Sequence, residues 1–148
     1  MIFIIGGSYQ GKTDCAFRRV EEKCKNPVVF DGRDLAKRGR DSDRVEDILK
    51  EISYSQVVLH LELIVRELME WGVDIDEVEE QLIEACMESE EKNWETVITA
   101  DEIGYGIVPL DAFEREYREK EGRICQKIAA RAREVWRVVC GLEMKMKG

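Results

Sequence analysis

The stretch that decides the fold is MIFIIGGSYQGKT, at residues 1–13. Its first part is apolar without interruption, which is typical of a strand buried on both faces of a parallel sheet. The part that follows, GGSYQGKT, matches the pattern G-x-x-x-x-G-K-[ST]. Apolar residues with helical spacing then run from Lys12 to about Cys24. The pattern therefore lies between a buried strand and a helix, the context in which it forms a phosphate-binding loop.

Residues 6–13, called the glycine-rich loop below, are predicted to bind the phosphates of ATP or GTP. Backbone N–H groups of such a loop face the anion together with the amino end of the helix. Lys12 would bring its charge to the β- and γ-phosphates, and the Thr13 hydroxyl would ligate Mg²⁺. The predicted phosphate-binding residues are Gly6, Gly7, Ser8, Tyr9, Gln10, Gly11, Lys12 and Thr13. Kinases, ATPases and GTPases share this pattern, so it does not identify the reaction.

The rest of the chain alternates between strand-like and helix-like segments. Further strands are predicted at 28–30, 56–61, 96–99, 135–140 and 142–147, the last with period two. Helices are predicted from Asp43, over 63–71, from Asp76 and over 111–132, with loops at 33–40 and 100–110. This alternation predicts an α/β fold, a P-loop NTPase-like three-layer sandwich with a mostly parallel sheet and a C-terminal antiparallel edge hairpin. The whole chain, 1–148, is predicted to be a single nucleotide-binding domain.

Composition excludes several classes of protein. The chain of 148 residues has 23 Lys and Arg against 32 Asp and Glu, and this net charge of −9 argues against a general nucleic-acid binder. No apolar run approaches the roughly 18 residues of a membrane span, and the apolar start is too short for a signal peptide. With a single histidine and five widely spaced cysteines, a zinc site made of cysteine and histidine is not expected. Reduced thiols and a cytoplasmic location are the expectation.

Three acidic residues follow predicted strands and are candidates for holding Mg²⁺ or its water shell. Asp31 follows the second strand, and Asp101 and Glu102 follow the fourth. The carboxyl ends of parallel strands line the ligand crevice of an open α/β sheet, so the pair is predicted to face the glycine-rich loop. We predict that Glu102 is catalytic and metal-binding and that Asp31 contacts the nucleotide. The alternative for all three is a helix cap or a solvated loop acid.

His60 and a group of cations are further candidates. His60 ends the third predicted strand, where it could contact nucleotide or act as a catalytic acid or base. The alternative is a histidine that is satisfied at the end of a strand. The cations lie on the loop after the second strand: Arg33, Lys37, Arg38 and Arg40. They could close over an anionic substrate, or they could simply keep the loop soluble.

Two motifs near the C-terminus carry a family resemblance. Residues 102–109, EIGYGIVP, resemble the element E-[VI]-G-x-G-[IV]-V-P of the bifunctional adenosylcobinamide kinase/adenosylcobinamide-phosphate guanylyltransferase family. Residues 122–129, GRICQKIA, are similar to that family's G-R-x-N-Q-x-x-A, with Cys125 in place of the asparagine. The resemblance covers residues 1–31 and about 94–148 well and the middle of the chain poorly.

The resemblance implies a two-step enzyme of cobalamin assembly. Members phosphorylate the aminopropanol hydroxyl of adenosylcobinamide with ATP or GTP, then attach GMP from GTP to that phosphate through a guanylylated histidine. It also implies that Glu102 lies near the bound phosphates or metal, and that Arg123 pairs with a phosphate or organises the loop that carries Glu102. A corrinoid substrate and a homo-oligomer are likewise implied, with no nucleic-acid partner and no membrane span.

One departure from the family's pattern leaves the reaction open. The family's nucleophilic histidine lies between the second and third strands, but residues 31–55 contain no histidine. His60 is the one nitrogen nucleophile of this type in the chain, and it stands where the family tends to have an acid. The residues that the kinase step needs are therefore present, whereas the guanylyl step would use either His60 or a direct attack without a protein nucleophile. The alternative is a non-catalytic relative that binds nucleotide and regulates or scaffolds a partner.

Overall fold

Six strands and six helices occur in the computed structural model, which describes residues 1–39, 44–87 and 94–148. The strands are β1 (Ile2–Gly6), β2 (Val29–Asp31), β3 (Val57–Leu59), β4 (Val97–Asp101), β5 (Glu134–Val139) and β6 (Leu142–Lys147). The helices are α1 (Lys12–Glu21), α2 (Gly32–Leu35), α3 (Val45–Ser53), α4 (Leu61–Glu70), α5 (Ile75–Cys86) and α6 (Ala112–Arg131).

The strands form one sheet in the order β2-β3-β4-β1-β5-β6. Within this order, the neighbouring strands β2 and β3, β3 and β4, β4 and β1, and β1 and β5 are parallel, and β5 and β6 are antiparallel. β1 is a central strand with parallel neighbours on both sides, which explains its unbroken apolar sequence. The predicted P-loop NTPase-like α/β fold, with a mostly parallel sheet and a C-terminal antiparallel edge hairpin, is confirmed.

Helices cover both faces of the sheet. On one face, α1 packs Cys15, Ala16 and Val20 against side chains of the central strands. On the other face, buried residues of α2 to α6, such as Leu68 and Ile124, enclose the larger part of the core. Within the described parts of the chain, none of the helices has the length and apolar character that crossing a bilayer requires.

The parallel register brings the carboxyl ends of β1 and β4 together. Gly6 pairs with Asp101, and the N–H of Glu102 continues the ladder by donating to the Gly6 carbonyl oxygen at 2.9 Å. β4 therefore ends at Asp101, two residues beyond the predicted end at Thr99. The reason is that β1 offers a backbone partner as far as its last residue. Asp101 consequently stands beside the first glycine of the glycine-rich loop.

The third strand is shorter than predicted. β3 ends at Leu59, and His60 adopts a left-handed backbone with φ 58°. The His60 carbonyl oxygen accepts the N–H groups of Leu63 at 3.0 Å and Ile64 at 3.2 Å, so α4 begins at Leu61 instead of Leu63. His60 thus lies between β3 and α4, at the same edge of the sheet as the glycine-rich loop.

The segment predicted as a loop at 33–40 contains part of a short helix, α2. The Asp31 carboxylate accepts the N–H of Arg33 at 2.9 Å, and this cap starts the helix directly after β2. The loop prediction is therefore wrong over the first residues of the segment. Arg40, and the predicted helix start at Asp43, lie outside the described residues.

Candidate active site

The glycine-rich loop connects the carboxyl end of β1 to α1. Tyr9 and Gly11 have left-handed backbones, with φ 58° and 94°. Gln10 attaches the loop to the turn between β5 and β6. Its side-chain oxygen accepts the N–H of Cys140 at 2.7 Å, and its carbonyl oxygen accepts the N–H of Gly141 at 2.9 Å. The neighbouring hairpin therefore supports the shape of the loop.

Lys12 is buried inside this loop, with 5% of its surface exposed. Its Nζ donates to the Gly7 carbonyl oxygen at 2.7 Å and forms an ion pair with Asp101 Oδ1 at 2.6 Å. The Ser8 hydroxyl donates to the other oxygen of Asp101. The carboxylate at the end of β4 therefore contacts two residues of the glycine-rich loop and balances the charge of the buried amine.

A cleft of about 610 Å³ opens beside the glycine-rich loop. This volume falls in the range of small-molecule binding sites. Residues 8–13 form one part of its lining. The rest of the lining is Arg33, His60, Glu62, Leu63, Arg66, Asp101, Ile103 and Tyr117. The cleft thus joins the loop to the carboxyl ends of the central strands, as ligand sites in open α/β sheets do.

His60 and Glu62 occupy the cleft beside Asp101. His60 Nδ1 lies 3.1 Å from Glu62 Oε1, and Glu62 Oε2 accepts the backbone N–H of Asp101 at 2.9 Å. Glu62 is buried, and its carbonyl oxygen accepts the hydroxyl of Tyr117 at 2.9 Å. Burial raises the pKa of Tyr117, so this hydroxyl keeps its proton and remains a donor. The left-handed turn at His60 is what brings both side chains to the strand ends.

Two guanidinium groups, those of Arg33 and Arg66, line the cleft, and each pairs with carboxylates. Arg33 makes a two-pronged contact with Asp31, from Nε at 3.0 Å and from a terminal nitrogen at 2.6 Å. Burial raises the pKa of Asp31, but hydrogen bonds from the Arg33 side chain and backbone outweigh it and leave the pKa below its ordinary value. Arg66 pairs with Glu114 and with Glu70. Both cations are thereby positioned in advance of any anionic ligand.

Several predicted site residues make their contacts elsewhere. Glu102 points both carboxylate oxygens at Arg137, at 2.7 and 2.9 Å, so it is Asp101 of this pair that contacts Lys12. Asp31 acts on Arg33 and caps α2. The catalytic, metal-binding and nucleotide-binding roles of these acids stay predictions.

Arg123 is likewise engaged away from the glycine-rich loop. Its guanidinium pairs with Asp76 and Glu79 of α5, as part of the contact between α5 and α6. Glu79 is buried by this contact, although the acidic pattern of α5 predicts a solvated face. The role predicted for Arg123 toward a phosphate stays a prediction. Lys37 and Arg38, from the predicted basic loop, pair with Asp34 and Glu51.

Glu62, Arg66 and Tyr117 line the cleft but were not candidates from the sequence. Tyr117 belongs to the apolar stripe of α6 and is indeed buried, yet its hydroxyl end reaches the cleft. Glu62 follows His60 by two residues, a spacing that carries no signal until α4 is known to begin at Leu61. Arg66 lies one helical turn beyond Glu62, so the same early start of α4 turns both toward the site.

The oxygen donors in the cleft fit Mg²⁺, which prefers carboxylate, hydroxyl and water ligands. Thr13 and Asp101 line the same cleft, and Asp101 contacts the Lys12 amine. These two residues would hold the ion together with the phosphates of a nucleotide. Glu102, whose oxygens both contact Arg137, does not offer a free donor in this arrangement.

A second cavity of about 420 Å³ lies under the segment that starts at Glu102, and Glu121 and Cys125 of α6 line it. Burial raises the pKa of Glu121 from 4.5 to about 7, the Cys125 thiol opposes this by donating a hydrogen bond, and the charges of Glu62 and Asp101 raise it further. Glu121 is 2% exposed. This carboxyl therefore titrates near neutral pH in the folded chain.

Glu121 should make the stability of the chain fall as the pH rises. The pKa of this carboxyl is near 4.5 in the unfolded chain and about 7 in the folded chain, so stability is full below pH 4.5 and is lost as the pH rises through about 7. Between pH 4 and pH 8 the wild type should lose about 3 kcal/mol of unfolding free energy from this group. Urea unfolding of Glu121→Gln should lack that loss. The control Glu116→Gln, on the exposed side of α6, should retain that loss. If the unfolding free energy changed equally with pH in all three proteins, Glu121 would not be the group responsible.

The family model described as "Cobinamide kinase / cobinamide phosphate guanyltransferase" matches residues 39–146, well over half of the chain. The chain belongs to this family. His60, Asp101 and Glu102 fall within the residues matched to the cobinamide kinase / cobinamide phosphate guanyltransferase model, and the glycine-rich loop precedes them. The family assignment inferred from residues 102–109 and 122–129 is thereby confirmed.

Two curated relatives are similar to part of this cobinamide kinase / cobinamide phosphate guanyltransferase family member. The bifunctional adenosylcobalamin biosynthesis protein CobU of Salmonella typhimurium (strain LT2) is 42% identical over 79 residues, which are 53% of this chain and 41% of that protein. The protein of the same name from Escherichia coli (strain K12) is 41% identical over 68 residues, 46% of this chain and 36% of that protein. The aligned part of this chain spans about two fifths of the length of each relative.

Proposed function

We propose that this chain transfers the γ-phosphate of ATP or GTP to the hydroxyl of adenosylcobinamide. One observation carries the proposal: the Lys12 amine is buried inside the glycine-rich loop and paired with the strand-end carboxylate of Asp101 at 2.6 Å, beside a cleft of about 610 Å³. Family membership supplies the substrate class. The nucleotide phosphates would replace Asp101 and the Gly7 carbonyl as the partners of the Lys12 amine.

Phosphoryl transfer needs positioning and charge neutralisation more than covalent chemistry from the protein. Lys12 and the N–H groups of the glycine-rich loop would bind the β- and γ-phosphates. Mg²⁺, held by Thr13 and Asp101, would neutralise charge on the transferred group when bound. Arg33 and Arg66 line the same cleft, and there they would offset charge that develops on the phosphate during transfer.

A second candidate step is guanylyl transfer through His60. Glu62 contacts Nδ1, and this contact orients the ring. Nε2 is buried in the structure, so it would have to become accessible to GTP to act as the nucleophile. Nε2 would attack the α-phosphorus of GTP, the bond from that phosphorus to the bridging oxygen would break, and pyrophosphate would leave. An oxygen of adenosylcobinamide phosphate would then attack the same phosphorus, break its bond to nitrogen and regenerate the imidazole.

The chain is further proposed to self-associate in the cytoplasm. β6 is an edge strand, and Leu142, Met144 and Met146 along it are exposed. Exposed apolar edges of this kind are usually covered by another chain or another segment.

Labelled nucleotides test the proposed function. With γ-labelled ATP or GTP, Mg²⁺ and adenosylcobinamide, label should move to the corrinoid. With α-labelled GTP, acid-labile label on the protein that is lost in His60→Ala would support the second step. Nucleotide that raises the melting temperature without any transfer would overturn the kinase proposal and favour a non-catalytic relative that binds nucleotide.

A further inference from the structure

His60, Glu62 and Asp101 form a cluster of potential metal ligands beside the glycine-rich loop. One imidazole nitrogen and one oxygen from each carboxylate lie within 4.8 Å of one another. Glu62 contacts the other two residues directly. Its Oε1 lies 3.1 Å from His60 Nδ1, and its Oε2 accepts the backbone N–H of Asp101 at 2.9 Å. Small shifts of these side chains would bring the three donors around a single ion.

Two features of the cluster favour a bound cation. Glu62 is 4% exposed, and among the described residues it forms no ion pair with a lysine or arginine. The Nε2 atom of His60 is buried and has no hydrogen-bond partner among the same residues. A buried carboxylate whose one ion-pair partner among the described residues is an imidazole, and a buried nitrogen without a hydrogen-bond partner, are both unfavourable. A bound metal ion would stabilise the carboxylate, and bound at Nε2 it would also give that nitrogen a partner.

We infer that His60, Glu62 and Asp101 bind a divalent transition-metal ion when the nucleotide is absent. Imidazole nitrogen binds Co²⁺ and Zn²⁺ well, whereas Mg²⁺ prefers sites made entirely of oxygen. The site therefore differs in its chemistry from the Mg²⁺ site proposed at Thr13, Asp101 and the nucleotide phosphates, with which it shares Asp101. A metal-bound His60 is not free to carry a guanylyl group, so these two roles of the side chain are alternatives.

The metal ion would change the environment of Lys12. Asp101 Oδ1 lies 2.6 Å from the Lys12 amine, so the metal and the amine share one carboxylate. A divalent ion on Asp101 neutralises that carboxylate and repels the ammonium group. Occupation of the site would therefore release Lys12 from Asp101 and make it available to phosphate. The inference does not require either transfer reaction to occur.

Titration with Co²⁺ alone tests the site, because Co²⁺ absorbs visible light according to its ligands. The wild-type chain without nucleotide should bind one Co²⁺, Zn²⁺ should displace it, and Mg²⁺ at the same concentration should not. Removing one of three ligands should weaken Co²⁺ binding at least about tenfold. His60→Gly is the first variant, since glycine adopts the left-handed backbone of residue 60 without strain. Glu62→Gln is the second, and circular dichroism checks that both variants fold.

Two further variants distinguish metal binding at this cluster from a purely structural role of its side chains. Glu143→Gln alters a carboxylate of β6 that pairs with Arg18 and Arg19, so it should leave Co²⁺ affinity unchanged. Lys12→Ala should raise Co²⁺ affinity at least about fivefold, because it removes the cation that competes for Asp101. If the cluster had only a structural role, Lys12→Ala would not raise Co²⁺ affinity while His60→Gly and Glu62→Gln lower it. Equal Co²⁺ binding by the wild type and His60→Gly, or no binding by the wild type, would overturn the inference.

Discussion

Replacing Lys12 with alanine is expected to lower the rate of phosphate transfer to adenosylcobinamide by about a thousandfold. The amine lies inside the glycine-rich loop, where the phosphates are proposed to bind. Its charge has to act on oxygens that gain negative charge during transfer, so no distant cation can substitute for it. The measurement is kcat with γ-labelled nucleotide at saturating concentrations of both substrates.

The matched control for this prediction is Lys37→Ala. Lys37 pairs with Asp34 and is largely exposed, so the variant should keep its full rate. Urea unfolding should accompany both assays, because Lys12 is buried and its loss leaves Asp101 without its ion-pair partner. A folded Lys12→Ala protein that transfers phosphate within tenfold of the wild-type rate would contradict the role given to Lys12.

Replacing Gly6 with alanine is expected to destabilise the chain by about 3 kcal/mol. Gly6 is the last residue of β1, and a Cβ at this position would lie 2.3 Å from the carbonyl oxygen of Val138 in β5. Gly6 and Val138 both belong to the backbone of the sheet, so neither residue can move away without disturbing the hydrogen bonds between β1 and its neighbours. Urea unfolding at constant pH measures the loss, with a lower midpoint and an unchanged slope.

Gly122→Ala is the control for crowding at Gly6. Gly122 lies inside α6, and a Cβ there would meet no other atom within 4 Å. Because alanine is the better helix former, this variant should be more stable than the wild type by about 0.5–1 kcal/mol. If both substitutions changed stability in the same direction and by the same amount, close packing of β1 against β5 would not be the cause.

The arrangement of strand, loop and helix in the first residues could be predicted from sequence because its signals are local. An unbroken apolar run requires a central parallel strand, and β1 has parallel neighbours on both sides. The period of two after Gly141 likewise predicts the edge strand β6, which pairs antiparallel with β5. Each of these predictions depends on residues that are neighbours in the chain.

The identity of the acid beside Lys12 depends on a long-range register instead. Asp101 and Glu102 are adjacent, and consecutive residues at the end of a strand point to opposite sides. The pairing of Gly6 with Asp101 turns the Asp101 carboxylate toward the loop and leaves Glu102 to Arg137. No pattern in the sequence states this register, so Glu102 could be preferred over Asp101 on the basis of its motif alone.

The positions of Glu62 and Arg123 depend on elements that meet only in the folded chain. Glu62 reaches the cleft because the left-handed backbone of His60 starts α4 two residues early. Arg123 belongs to a motif typical of the family, yet the acidic residues of α5 hold its guanidinium. The helical pattern of α5 shows which side is polar, but it does not show which neighbour covers that side.

A crystal structure with Mg²⁺, a non-hydrolysable ATP or GTP analogue and adenosylcobinamide tests the central claim most directly. The account predicts the β- and γ-phosphates within the glycine-rich loop, with the Lys12 amine moved from Asp101 to the phosphates and the corrinoid hydroxyl facing the γ-phosphate. A nucleotide bound elsewhere, with Lys12 still paired to Asp101, would contradict it.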